Sequence, residues 1–163
     1  MTLPASQTPF RIIPISQAFL AGARGGTDDL GQPVERHTAR GGEPLRDGLR
    51  RAVPGEQILL ASYCPFMVAS PYKEYGPVFL AAEPQAEPRL DALPVDGELP
   101  YLASSFVLRA YSHEERIVDA RMSSPQAAHD DLDAFFARDD VAFVLARFPT
   151  YGCYALRLER ARG

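Results

Sequence analysis

The sequence predicts an α+β fold: a mostly antiparallel sheet of five or six strands, one main helix packed on a face, and short helices near the N-terminal half. Three observations carry this. Residues 57–62 and 141–148 carry apolar residues on both faces, as strands inside a sheet do. Residues 106–110 and 116–122 flank the polar tip Ser112-His113-Glu114-Glu115, which reads as a β-hairpin. Behind Ser124-Pro125, the residues Ala128, Leu132, Phe135 and Phe136 recur at i, i+4, i+7 and i+8, predicting a helix over 124–139.

Taken in order, residues 10–15 form a short apolar strand, and Ser16 caps a brief helix that ends at Gly22. Residues 22–43 are rich in Gly, Asp and Arg without periodicity and predict a surface loop. Its Arg24-Gly25-Gly26-Thr27 string matches neither a P-loop nor a dinucleotide fingerprint. Residues 44–52 (PLRDGLRRA) predict a short helix with Pro44 in its first turn and Leu45, Leu49 and Ala52 facing inward. After the central strand, Pro65 and Pro71 force a bent, aromatic loop before Val78-Phe79-Leu80 resumes the apolar run. Residues 83–102 hold four prolines and no periodicity, so they predict a second long loop. A last strand runs over 153–160, where Tyr154, Leu156 and Leu158 alternate with Cys153, Arg157 and Glu159.

At 163 residues the chain predicts one domain. Its net charge of −4 gives no electrostatic case for nucleic acid or acidic membrane surfaces. No apolar run reaches spanning length, and Pro4, Pro9 and Pro14 break up any export signal, so the expected setting is cytoplasmic with Cys64 and Cys153 reduced. A homodimer is compatible with this composition.

Several strings, in this order, resemble the bacterial family called domain of unknown function 1203. They are PLRDGLRRAVPGEQILLASY (44–63), SPYKEYGPVF (70–79), LRAY (108–111), DDVAFVLAR (139–147) and YGCYALRLER (151–160). The resemblance implies a compact α+β domain and carries no assigned activity. It also implies a Cys-Arg pair where this chain has Leu45-Arg46, and histidines near Cys64 or Pro65 and near Leu145 or Arg147, which this chain lacks.

Two kinds of site residue stand out. Cys153, beside a tight turn with Arg147 and Arg157 near in sequence, is the candidate nucleophile. A cysteine nucleophile needs a base, however, and His37, His113 and His129 are scattered over a loop, a hairpin tip and a helix start. The same scatter predicts no metal and no cofactor, and Asp130, Asp131 and Asp133 read as a solvated helix face. The second kind is arginine. Arg46 and Arg50 share a stripe of the expected helix, while Arg109 and Arg147 sit on apolar strands. Each must find a carboxylate, with Glu56, Asp119 and Glu159 as the expected partners, or an anionic ligand. In the second case Arg46, Arg109 and Arg147 line a pocket walled by Tyr63, Tyr72 and Tyr151. The sequence therefore favours a non-catalytic domain binding a small anion or a partner, with a small Cys153-centred enzyme as the alternative.

Overall fold

The computed structural model describes residues 10–161, so residues 1–9 of the stretch tested for an export signal lie outside the described residues. The fold is α+β and mostly sheet, but the strands divide between two sheets of five where the sequence predicted one. An apolar run fixes that a strand is buried, not which strand it pairs with.

The first sheet contains β1 (Phe10–Ile13), β7 (Phe106–Tyr111), β8 (Ile117–Ser123), β9 (Phe143–Arg147) and β10 (Tyr154–Arg160). They lie in the order β1-β10-β9-β7-β8, with all neighbours antiparallel. The second contains β2 (Glu35–Thr38), β3 (Pro44–Leu45), β4 (Arg50–Arg51), β5 (Gln57–Tyr63) and β6 (Gly76–Ala81), in the order β2-β5-β6-β3-β4. Only the β3–β6 pair is parallel, through Leu45 and Phe79.

Two helices complete the fold. In α1 (Gln17–Arg24) the Ser16 hydroxyl accepts the Phe19 N–H at 3.2 Å, as the cap predicts, but the helix runs past Gly22 to Arg24. In α2 (Ala128–Phe136) the expected apolar stripe is buried. Its entry is a turn in which Ser124 Oγ accepts the Ala127 N–H, so the helix itself is shorter than 124–139.

The core has two main layers. One lies between α2 and the first sheet, where Leu132, Phe135 and Phe136 join Leu108, Val144, Ala146 and Leu156. The other lies between the sheets, where Leu59, Ala61, Val78 and Leu80 meet Tyr111, Phe143 and Leu145, with Phe19 and Leu20 of α1 alongside. Burial of this many complete side chains, at roughly 1.5–3 kcal/mol each, is the main favourable contribution to the fold. The outer face of the second sheet carries a smaller cluster built on Leu45, Ile58 and Ala81.

Two sequence readings fail here. Residues 44–52 are not a helix but a tight hairpin, β3 to β4, turning through residues 46–49. Asp47-Gly48 is a turn pair, and Leu49 takes a left-handed backbone (φ 51°) that a helix forbids. That conformation is held because the Leu49 side chain is buried against the α2 layer, and because Asp47 accepts Arg24 Nη2 at 2.8 Å and the Ala81 N–H at 3.2 Å. The loop 22–43 contains β2, an edge strand whose four side chains are all exposed. Residues 83–102 have no helix or strand, as expected.

Candidate functional site

The β3–β4 hairpin lays two arginines beside the turn that joins β9 to β10. Arg46 follows β3 and is buried, 4% exposed. Its Nε donates to the Tyr154 carbonyl at 2.9 Å and its Nη1 to the Pro44 carbonyl at 2.7 Å. The Tyr154 carbonyl is free to accept because the β10–β9 register shifts between Tyr154 and Leu156. The Ala155 carbonyl, in the same bulge, takes the Tyr101 hydroxyl at 2.6 Å. Arg51 is held entirely by carbonyls: Pro100 and Tyr101 at 2.9 and 3.0 Å, and Gly42 at 2.8 Å. Both guanidiniums lie over the Phe148 ring, 5.1 and 5.5 Å from its centre.

Among the described residues neither arginine has a carboxylate partner. Carbonyl bonds satisfy donors but leave the charge uncompensated. Burial accordingly pulls the Arg46 guanidinium below the usual arginine range, opposed by the neighbouring Tyr101, Cys153 and Tyr154. Burial likewise raises Tyr101 well above an ordinary tyrosine, opposed by Arg46 and Arg51.

These two arginines line a cleft of about 690 Å³. Its apolar walls are Leu60, Pro77 and Phe79 from the outer face of the second sheet, with Ala103, Phe148 and Pro149 opposite. Arg40 adds a third cation, and Glu43 is the only carboxylate of the lining among the described residues. The Glu43 carboxylate is occupied by the backbone N–H groups of Arg40 and Gly41 at 2.7 and 2.8 Å. That rim turn requires Gly41: its φ is +110°, and a Cβ there would sit 2.9 Å from Pro54 Cγ. Tyr151, 87% exposed, and half-buried Cys153 close the cleft from the β9–β10 turn.

The other expected site residues fall elsewhere. Arg147 forms an ion pair with Glu74, and the same carboxylate lies 3.5 Å from Arg109. Arg147 also donates to the Gly152 carbonyl at 3.0 Å, while its buried Nε has no acceptor among the described residues. Of the expected carboxylates, Glu56 pairs with Arg50 as anticipated, whereas Asp119 is taken by Arg138 and Glu159 by Arg157. Tyr63 is buried between Phe19 and Tyr154, and Tyr72 stacks under Arg116. Of the six expected ligand residues, Arg46 and Tyr151 line the cleft with Cys153, while Tyr63 and Arg147 join Tyr151 and Cys153 around a neighbouring cavity of about 180 Å³.

Arg51, Phe148, Leu60 and Phe79 were not singled out in the sequence. The available signal was Asp47-Gly48, since a hairpin there puts Arg46 and Arg51 at its two sides. No histidine lines the cleft: His37 pairs with Glu35, and His129 with Asp133. His129, Asp130 and Asp133 bring ligand atoms within 4.8 Å of one another, but all three are exposed on the surface of α2.

Fold and cleft together define a two-sheet α+β protein with a cationic, apolar-walled groove. The family model described as Protein of unknown function (DUF1203) matches residues 42–160, and the chain belongs to that family. No curated protein and no solved structure matches it.

Proposed function

We propose that this protein binds a small anionic molecule with an apolar body in the cleft over Arg46 and Arg51, without catalysis. The observation that carries the reading is the pair of inward-held guanidiniums with no carboxylate beside them. A buried cation without a counter-charge is costly, and a ligand carboxylate entering the cleft relieves that cost. Leu60, Pro77 and Phe79 give such a ligand an apolar wall, which favours an alkyl or aryl carboxylate over inorganic phosphate. The absence of a histidine from the cleft lining removes the base that acyl transfer through Cys153 needs. The same reading sets the protein in the cytoplasm as one domain, in keeping with its two free cysteines. No described helix is long and apolar enough to cross a membrane.

The test is thermal unfolding with acetate, hexanoate, 3-phenylpropionate and phosphate. The longer carboxylates should raise the melting temperature of the parent protein and leave Arg46→Met unmoved; saturation at 100 times Kd corresponds to about 2.7 kcal/mol. A parent protein indifferent to all four anions overturns the reading.

A further inference from the structure

We propose that the cleft directs one chemical event: exchange of Cys153 with the disulfide of a small carboxylate-bearing thiol, giving a mixed disulfide at that cysteine alone. The inference rests on the anion-binding reading and adds to it the class of ligand and the reacting atom. Three observations carry it.

Cys153 is half-buried and lines both the main cleft and a neighbouring cavity of about 180 Å³. Its one polar contact, to the Tyr151 carbonyl at 3.9 Å, is too long to hold the thiol in place. The turn that carries it is fixed by two backbone bonds between Phe148 and residues 152 and 153.

The second observation points to the ligand. Arg46 lines the same cleft, is more than nine-tenths buried, and has no acceptor for Nη2 among the described residues. A carboxylate seated there brings the rest of its molecule past Cys153, raising the local concentration of a disulfide at that sulfur.

The third is the lack of a base. Thiol–disulfide exchange needs none. Cys153 gives its proton to water, and the thiolate attacks the nearer sulfur of the bound disulfide. A new S–S bond forms as the old one breaks, and the departing thiolate leaves with the electron pair and takes up a proton. Cys153 is oxidised, half of the reagent is reduced, and the disulfide is itself the oxidant. Cys64 supplies an internal comparison: it is also half-buried, but its pocket mixes Lys73 and Arg157 with Asp29 and Glu159.

The experiment follows labelling by intact mass in the Cys64→Ser chain. The reagents are 3,3′-dithiodipropionate, bis(2-hydroxyethyl) disulfide and cystamine, which are anionic, neutral and cationic. The anionic disulfide should react about tenfold faster than the neutral one, the factor roughly one contact to a guanidinium supplies, and cystamine more slowly still. Arg46→Met should abolish the preference, so that the anionic and neutral reagents react at the same rate, and Cys153→Ser should take no label. In the unmutated cleft, 3-phenylpropionate should compete with the anionic reagent and not with the neutral one, a check that does not depend on any arginine variant folding. Equal rates for the three reagents, or a preference that survives Arg46→Met, overturn the proposal. If 3-phenylpropionate still stabilises the protein in that case, only the thiol chemistry falls. If it neither stabilises nor competes, the anion-binding reading falls with it.

Discussion

The outer face of the first sheet is closed by a helix, whereas the second sheet ends in a hairpin carrying two arginines and has only a small apolar cluster on its outer face. Behind β9, the stripe of α2 seals Val144 and Ala146 from water. On the outer face of β5, Ile58 is buried with Leu45 and Ala81, but Leu60 is left on the wall of the cleft. The arginines divide along the same line. Between the sheets, the Arg147 charge is answered by Glu74; at the cleft, the Arg46 and Arg51 charges are answered only by carbonyl dipoles. Of the two buried arginines, Arg147 is paired inside the fold, and Arg46, without a carboxylate, stands where space remains for something else.

The contrast can be broken at several points. Phe135→Ala, fully buried under α2, should cost about 3–5 kcal/mol in urea unfolding. A loss below about 1 kcal/mol would mean that this face is not closed by packing. Glu74→Ala comes next, at about 2–3 kcal/mol, since it strands the buried Arg147 charge. Arg147→Met should cost less than Glu74→Ala, because Glu74 is 45% exposed and returns to water. The reverse order would remove the electrostatic account of this pair.

Phe79→Ala, half-buried on the cleft wall, should cost about 1–2 kcal/mol and weaken hexanoate more than acetate in calorimetric titration. Arg46→Met should leave stability within about 1 kcal/mol of the parent, because the two lost carbonyl bonds offset the release of a buried charge. A large loss there would make Arg46 a structural residue like Arg147.

The smallest effect is acid. The Arg50 guanidinium holds the Glu56 carboxyl below its ordinary value of 4.5. The folded state therefore binds this proton less readily than the unfolded chain, so the pair stabilises above about pH 4.5 and the contribution fades as pH falls further. Glu56→Gln should remove roughly 0.5–1 kcal/mol at pH 7 and flatten stability against pH below 4.5.

Much of the framework was readable from periodicity: the strands of the first sheet, the Ser16 cap and the buried stripe of α2. The failures have physical reasons. Nine residues with arginines four apart fit one helix face or two hairpin strands, and Asp47-Gly48 decides between them only when weighed above the spacing. Glu35-Arg36-His37-Thr38 has no apolar residue, so an edge strand exposed at every position leaves no pattern to read. Residues 57–62 and 141–148 look alike as sequence, because an apolar face reads the same under a helix as on the wall of a cleft. The partner of Arg147 was hidden because Glu74 lies in an irregular loop 73 residues away.

The bond from Arg46 Nε to the Tyr154 carbonyl spans 108 residues of chain. Contacts of that separation close large loops and tend to form late, after the local hairpins are in place. The cleft that this bond helps to close is therefore expected to assemble late. A ligand seated in it meets no site in the folding transition state, so it should leave the refolding rate almost untouched and express its whole effect as a longer lifetime of the folded chain.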